Sequence, residues 1–280
     1  MKISLIVTTY NRCGYLNLVL KALRNQQNAG DFEVIIADDG SGPDTKKLIE
    51  EHAATFPVSL LHAWQEDKGF RASSSRNNAF RKSSGDYIVF LDGDCIPSAD
   101  FIAKHRSLAE KGFFVFGTRI LLSEKFSARL EHEQDSLQSK SFANLLKHYL
   151  LKEVNKISSA FYLPFWPRKL TTQNWKKLRS CNFGVWRDDL INVNGFDEDF
   201  VGWGFEDSDL AVRLINSEVK GKAGNFAVTV FHLYHKELKT QKAGPGWNRL
   251  MDTIRSKKIR CDRGIFDLTK KLENCRLSCD

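Results

Sequence analysis

Residues 87–98 read YIVFLDGDCIPS, Tyr87 to Ser98. An apolar, aromatic and β-branched run of strand length gives way at once to Asp92, Gly93 and Asp94. The run suits a buried strand, and the Asp-Gly-Asp marks where it surfaces. Alternate residues leave a strand on one side, so Asp92 and Asp94 face one direction. Gly93 between them permits close approach of backbone or ligand. Two carboxylates held this way suit a hard divalent cation, Mg²⁺ or Mn²⁺, of the kind that shares its coordination with a diphosphate.

Similar runs recur along the first part of the chain, at KISLIVT (2–8), FEVIIAD (32–38), VSLLH (58–62) and FFVFGTRI (113–120). Helix-length segments separate them: YLNLVLKALRNQ, DTKKLIEEHAATF, SSSRNNAFRKSS and ADFIAKHRSLAEK. Alternating strand and helix predicts an α/β fold, a mostly parallel sheet with helices on both faces. Ligands of such sheets bind at the carboxyl ends of the strands. There the chain places Thr8, Thr9, Tyr10, Asn11 and Arg12, then Asp38, Asp39, Gly40 and Ser41, then Asp92 to Asp94. Each group alone reads as caps and turns; their recurrence at successive strand ends predicts a shared crevice. A dinucleotide fingerprint is absent after the first strand, and no phosphate loop of the G-x-x-x-x-G-K-[ST] kind occurs.

Composition agrees with a folded domain. The chain has 280 residues, 42% hydrophobic and 27% charged, which fits one principal domain with attachments. No run approaches the roughly 18 apolar residues of a membrane span. Lys2 is followed by only ISLIV before TTYNR, so no signal peptide is expected and the cytoplasm is the expected compartment. Six cysteines lack zinc spacing or a small disulfide framework, so free thiols are expected; CRLSC near the end leaves metal binding or cross-linking open. Residues 236–280 hold 12 Lys/Arg against 6 Asp/Glu, a net +6 of the chain's +8. This basic C-terminal extension reads as a solvated helical face or as a patch for an anionic partner, a membrane surface above all. No nucleic acid is expected as a partner.

ISLIVTTYNR, EVIIADDGSGPDT, KGFRASSSRNNAFRKSSGDYIVFLDGDCIP and NGFDEDFVGWGFEDSDLAVRL together resemble the family 2 glycosyltransferases of the GT-A fold. The last block is similar to a carboxyl-terminal motif shared with galactosyltransferases and chondroitin-polymerase-like proteins. The resemblance implies a 1–235 glycosyltransferase domain, with a donor-binding half (1–120), a variable insert (121–179) and an acceptor half (180–235), before the 236–280 extension. It implies that Thr8, Tyr10 and Arg12 meet the donor, that Asp38, with Asp39 its neighbour, reads the uracil of a UDP-sugar, and that Arg76 and Arg71 face the phosphates. Asp94 and His232, in VFHLYH, would hold the metal, with His235 as alternative to His232, while Asp92 would meet the ribose or the metal shell, with Gly93 beside it on the donor side. Asp207 would be the general base, Glu206 would orient the acceptor and Trp203 would offer a face to a sugar ring. The product would be inverted at the anomeric carbon, and the acceptor a glycan or lipid-linked glycan of a bacterial surface polysaccharide or lipopolysaccharide.

Structural alternatives stand beside these roles: Glu206 and Asp207 also suit a helix N-terminus, and Trp203 ordinary packing. Residues 121–179 include a predicted helix, SFANLLKHYLLKEV, and the aromatic AFYLPFWPRKL, which suits an acceptor lid, a membrane contact or a packed loop. Two other functions use similar features. A sugar-nucleotide pyrophosphorylase needs a glycine-rich basic loop that TTYNRCGY does not supply, and a non-catalytic sensor keeps the donor site without needing Glu206 and Asp207.

Overall fold

The structure is a computed structural model that describes residues 1–133, 137, 142–158, 161–170, 173–236 and 244–267. Cys275 and Cys279, and with them CRLSC, lie outside the described residues, as do parts of the basic extension.

Strands β1 (Ile3–Thr9), β2 (Phe32–Asp38), β3 (Leu60–Trp64) and β4 (Tyr87–Asp92) form the first half of the main sheet. They alternate with helices α1 (Cys13–Arg24), α2 (Pro43–Ala53) and α3 (Ala72–Lys82). All four strands are parallel, in the order β3-β2-β1-β4. Side-chain alternation sorts each strand between two cores. Leu5, Val7, Val34, Ile36, Val89 and Leu91 face α1, while Ile6, Ile35, Ala37, Ile88 and Phe90 face α3. Burial on both faces is why these strands read as continuous apolar runs.

Beyond β4 come the short β5 (Cys95–Pro97), α4 (Phe101–Leu108), β6 (Phe113–Phe116) and β7 (Thr118–Leu121). Helices α5 (Glu124–Glu133) and α6 (Phe142–Leu150) follow, then β8 (Asn182–Trp186), α7 (Arg187–Asn192), α8 (Glu206–Asn216), β9 (Lys220–Ala223), β10 (Thr229–His232) and α9 (Pro245–Ser256). The main sheet continues β4-β8-β6-β9, and a second sheet has the order β5-β10-β7. Only β8 runs against the others in the main sheet among the described residues.

One sequence expectation is corrected here. The run 113–120 is not one strand but β6 and β7, in different sheets, parted at Gly117. A Cβ on Gly117 would meet the Asn182 amide at 2.2 Å. That amide donates to the carbonyls of Thr118 and Val228 at 3.1 and 3.2 Å and so turns the chain into the second sheet. Strand β8, from the acceptor half, was not anticipated and enters between β4 and β6.

Residues 244–267 are packed onto this body. Leu250 of α9 is fully buried, and Thr253 Oγ1 donates to Asp209 Oδ1 at 2.7 Å. Arg249 and Arg263 pair with Asp199, both near 3 Å. No described helix is long and apolar enough to cross a membrane.

Candidate active site at the strand ends

The loops after β1 and β2 are tied together first. Asn11 N donates to Ser41 Oγ at 2.9 Å, and Gly42 N returns a bond to Asn11 Oδ1 at 2.9 Å. Asn11 reaches this position at φ 47°, a left-handed conformation that asparagine tolerates better than most residues. After β4, Gly93 N donates to Thr8 O at 2.7 Å, and a Cβ there would sit 2.9 Å from that oxygen. The glycine of Asp-Gly-Asp therefore serves backbone contact between β1 and β4.

Arg76 of α3 lies across the floor of the crevice, only 4% exposed. Its Nε donates to Thr8 Oγ1 at 3.2 Å, Nη1 to Glu206 Oε1 at 3.2 Å and Nη2 to Asp92 Oδ1 at 3.4 Å. The guanidinium also lies over the Phe196 ring, 5.1 Å from its centroid. Next to it, Asn77 pins Phe196 through both backbone groups, accepting from its N at 3.0 Å and donating to its O at 2.8 Å. One side chain thus joins β1, β4 and α8.

Charge explains the titration of this cluster. Burial would lower the Arg76 pKa, but Asp92, Glu206 and Asp207 carry it above the ordinary value. Burial pushes Asp92 up to about 6, against the pull of Arg76 and with Asp94 adding repulsion. Burial, then Asp207, also raises Glu206. Both acids open α8, where the helix dipole favours them. Phe205 before them adopts φ 72° and Gly204 φ 111°, turning the loop sharply into the helix. Asp207 is the more open of the pair, whereas Glu206 is 7% exposed and paired with Arg76.

At the other end of Asp-Gly-Asp, Asp94 faces two histidines. His232 Nε2 lies 3.7 Å from Asp94 Oδ1, and His235 Nε2 lies 3.3 Å from Oδ2. One ligand atom from each residue falls within 4.8 Å of the others. Strand β10 brings His232 opposite Cys95, next to Asp94. The loop bearing His235 is held by three bonds: Leu233 N to Asp94 O at 2.9 Å, Tyr234 N to Ser127 Oγ at 2.8 Å and Tyr15 Oη to Tyr234 O at 2.8 Å. Sequence reasoning held His235 as an alternative to His232; the fold brings both to Asp94. The donor set fits a divalent ion, and two imidazoles with one carboxylate suit Mn²⁺ better than Mg²⁺, which prefers oxygen throughout.

The base-reading position is arranged differently from expectation. Asp38 is wholly buried; Oδ1 accepts from Ser41 N and Oδ2 from His62 Nε2, each at 2.8 Å. Burial alone would raise its pKa, but the bonds from His62 and Ser41 bring it below the usual value. Asp39 accepts from Gln65 Nε2 at 2.6 Å and from Arg71 N at 2.7 Å, and burial raises its pKa while Arg71 and Arg76 oppose the shift. The Arg71 guanidinium donates to Glu66 O. Tyr10, 48% exposed, donates to Asp67 at 2.8 Å, and Arg12 lies over the Tyr15 ring. Trp203, 46% exposed, stands on the loop 201–204, which is joined to the 67–71 loop by Gly202 N donating to Phe70 O at 3.0 Å. His62, Gln65, Asn77, Ser127 and Tyr15 went unnoticed as supports, because nothing local in their segments announces a distant partner.

A mostly parallel α/β sheet with carboxylates, an arginine and a metal-fitting triad at its carboxyl edge is the arrangement of the GT-A type of fold. Residues 4–166 match "Glycosyl transferase family 2", and residues 168–236 match "N-terminal domain of galactosyltransferase". The chain belongs to glycosyl transferase family 2. It is 26% identical to the chondroitin synthase of Escherichia coli over 226 residues, 76% of this chain and 32% of that protein. The chain spans 60% or less of the length of the curated relatives it matches first. Among solved structures, S. aureus TarS 1–349 in complex with UDP superposes with a TM-score of 0.63 at 16% identity, covering 95% of this chain and 68% of that one. The mannosyltransferase PcManGT from Pyrobaculum calidifontis, in complex with GDP-Man and Mn²⁺, gives 0.55 at 19% identity, covering 84% and 57%. These structural likenesses show the fold.

Proposed function

We propose that the chain transfers a sugar, with inversion, from a UDP-linked donor to a hydroxyl of a glycan acceptor, in a metal-dependent reaction. The observation that carries this reading is the convergence on one crevice of Asp94, His232 and His235 with the open carboxylate of Asp207, through Arg76 and Asp92. TarS is seen with UDP and PcManGT with GDP-Man and Mn²⁺, which supports a nucleotide-sugar donor and a metal.

Asp207 takes the proton of the acceptor hydroxyl. The freed oxygen pair forms the bond to the anomeric carbon while the bond to the diphosphate breaks on the opposite face and its electrons leave with the diphosphate. Asp94, His232 and His235 would hold a Mn²⁺ or Mg²⁺ ion; when bound, it supplies positive charge to the leaving diphosphate. Arg76 positions Asp92 and Glu206 rather than reaching outward, since its nitrogens are engaged within the protein. Glu206 then orients the acceptor side of the crevice through that contact. We assign uracil reading to Asp38 with its neighbour Asp39. Both are buried, Asp38 bonded to Ser41 and His62 and Asp39 to Gln65 and the Arg71 backbone, so reading the base exchanges one of these bonds for the ring. Tyr10, Thr8, Arg12 and Gly93 complete the donor side, and Trp203 offers its exposed ring to a sugar.

The chondroitin synthase relative supports a bacterial polysaccharide or lipopolysaccharide as destination. We place the acceptor on a lipid carrier at the cytoplasmic face of an anionic membrane. A panel of UDP-sugars, assayed for UDP release with and without chelator, tests the proposal. Metal-dependent release from at least one donor, stimulated by acceptor, is expected; release unaffected by excess chelator would refute metal dependence, and none from any UDP-sugar would refute the donor class.

A further inference from the structure

The segment from Tyr162 to Leu170 carries large apolar side chains outward on a backbone that is firmly held. Phe165 is 97% exposed, the most exposed large apolar residue among those described. Tyr162 is 49%, Leu163 41%, Trp166 39% and Leu170 79% exposed. Scattered exposed apolar residues are ordinary, but five within nine positions make a patch of the kind that marks an interaction surface.

Arg168 holds the loop from beneath. It is 8% exposed, and its guanidinium donates to the carbonyls of Leu163, Ala223 and Asn225 at 2.8, 3.1 and 2.6 Å. Leu163 N donates to Phe226 O at 2.9 Å, Ala223 N donates to Arg168 O at 2.8 Å, and the Trp166 ring lies 4.5 Å from that of Phe226. Pro164 and Pro167 flank Phe165 and Trp166 and restrict the backbone further. The exposure of Phe165 is therefore built in rather than a product of fraying.

Charge identifies the occupant. From Val154 to Arg187 the sequence contains no Asp or Glu and seven Lys or Arg. Lys104 Nζ sits 5.2 Å from the Tyr162 ring centroid and pairs with Asp100 at 2.8 Å. Lys169, within the loop and with its side chain 53% exposed, pairs with Glu110 at 2.7 Å. Surface pairs of this kind are weak enough to exchange for a lipid headgroup, and Lys176 and Lys177 further along are exposed. Aromatic and aliphatic residues rimmed by cations match the boundary between headgroups and acyl chains of an anionic bilayer.

Topology gives the contact a purpose. Strand β9 runs parallel to β4, so the turn after β9 that supports the loop lies at the same edge of the sheet as Asp92. Three strand spacings of about 4.8 Å separate β4 from β9, roughly 15 Å in all. We propose that the Tyr162–Leu170 loop inserts Phe165 and its aromatic neighbours into an anionic lipid surface and so holds the strand-end crevice beside that surface. This deepens the membrane part of the reading above, but is measured without donor, so that failure of either is seen separately.

The test is sedimentation of the full chain with vesicles of phosphatidylcholine, with and without phosphatidylglycerol, with no sugar nucleotide. Phe165→Ser, Lys169→Gln and, on the opposite edge strand, Leu61→Ser serve as variants, with circular dichroism to check their fold. Binding to anionic vesicles is expected, lowered about tenfold by Phe165→Ser and about fivefold by Lys169→Gln, and unchanged by Leu61→Ser. Equal binding to neutral and anionic vesicles, no binding to either, or undiminished binding of folded Phe165→Ser overturns the proposal. Self-association of the wild type that Phe165→Ser abolishes, without vesicle binding, also overturns it and gives the loop to a second copy.

Discussion

Replacing Arg76 by Met removes the cation that holds the crevice floor while keeping an unbranched side chain over Phe196. Three hydrogen bonds disappear, to Thr8, Glu206 and Asp92. The larger cost is that Asp92 and Glu206, whose pKa values burial already raises, lose their shared counter-charge. Removing one partner of a buried pair typically costs about 3–5 kcal/mol. For a chain of this size each kcal/mol lowers Tm by about 2 °C, so a fall of roughly 5–10 °C is expected. Glu206→Gln should cost less, about 1–2 kcal/mol, because Arg76 keeps Asp92 and the amide still accepts a hydrogen bond. In the double variant the uncompensated Glu206 charge is gone, so its loss should fall short of the sum by about 1–3 kcal/mol. Urea unfolding of the four proteins at neutral pH measures this coupling. Losses that add to within about 0.5 kcal/mol would refute the claim that Arg76 serves Glu206.

Asp207→Asn should lower transfer by about 10²- to 10⁴-fold with UDP affinity nearly unchanged; a fully active variant ends the base assignment. His235→Ala should weaken Mn²⁺ binding about as much as His232→Ala, as read by Mn²⁺ paramagnetic resonance on the purified chain, and unaltered Mn²⁺ affinity in His235→Ala returns the site to Asp94 and His232. Acid stability should fall in two stages. Burial holds fully buried His105 down at about 4, so its contribution is complete above pH 6.5 and is lost as pH falls toward 4, worth about 3 kcal/mol. Glu33 is pulled to about 2, where burial opposes but bonds from Lys2, Ser4 and Ser84 prevail, so its contribution is present above pH 4.5 and lost through about 2. Urea unfolding across pH should show His105→Gln lacking the first stage and keeping the second; an unchanged slope between pH 6.5 and 4 rejects this origin.

Much of the framework was legible because it is local. The alternation of apolar runs with helical segments set the parallel half of the sheet, and the polar residues that end β1, β2 and β4 marked its working edge. The Asp-Gly-Asp and the acids opening α8 were also visible as short patterns with their own chemistry, whereas the histidines of VFHLYH were singled out only by the family resemblance. Five-residue β8 and the break at Gly117 were not, because a short strand carries little periodicity and the residue that forces the break, Asn182, lies 65 positions away.

What tertiary structure alone decided is which polar groups are spent on the protein and which remain for a ligand. Asp38 and Asp39 are adjacent, chemically identical and both buried, yet Asp38 is turned to His62 and Ser41 while Asp39 is turned to Gln65 and the Arg71 backbone. Arg76 looks like an outward phosphate contact within RASSSRNNA, and becomes the internal strut between α8 and β4 only once those elements meet over it. His232 and His235 lie about 140 residues beyond Asp94, and join it because β10 pairs with β5. Sequence determines the type and spacing of donors and acceptors, but a hydrogen bond saturates. Only the packed fold settles which groups have already found their partners.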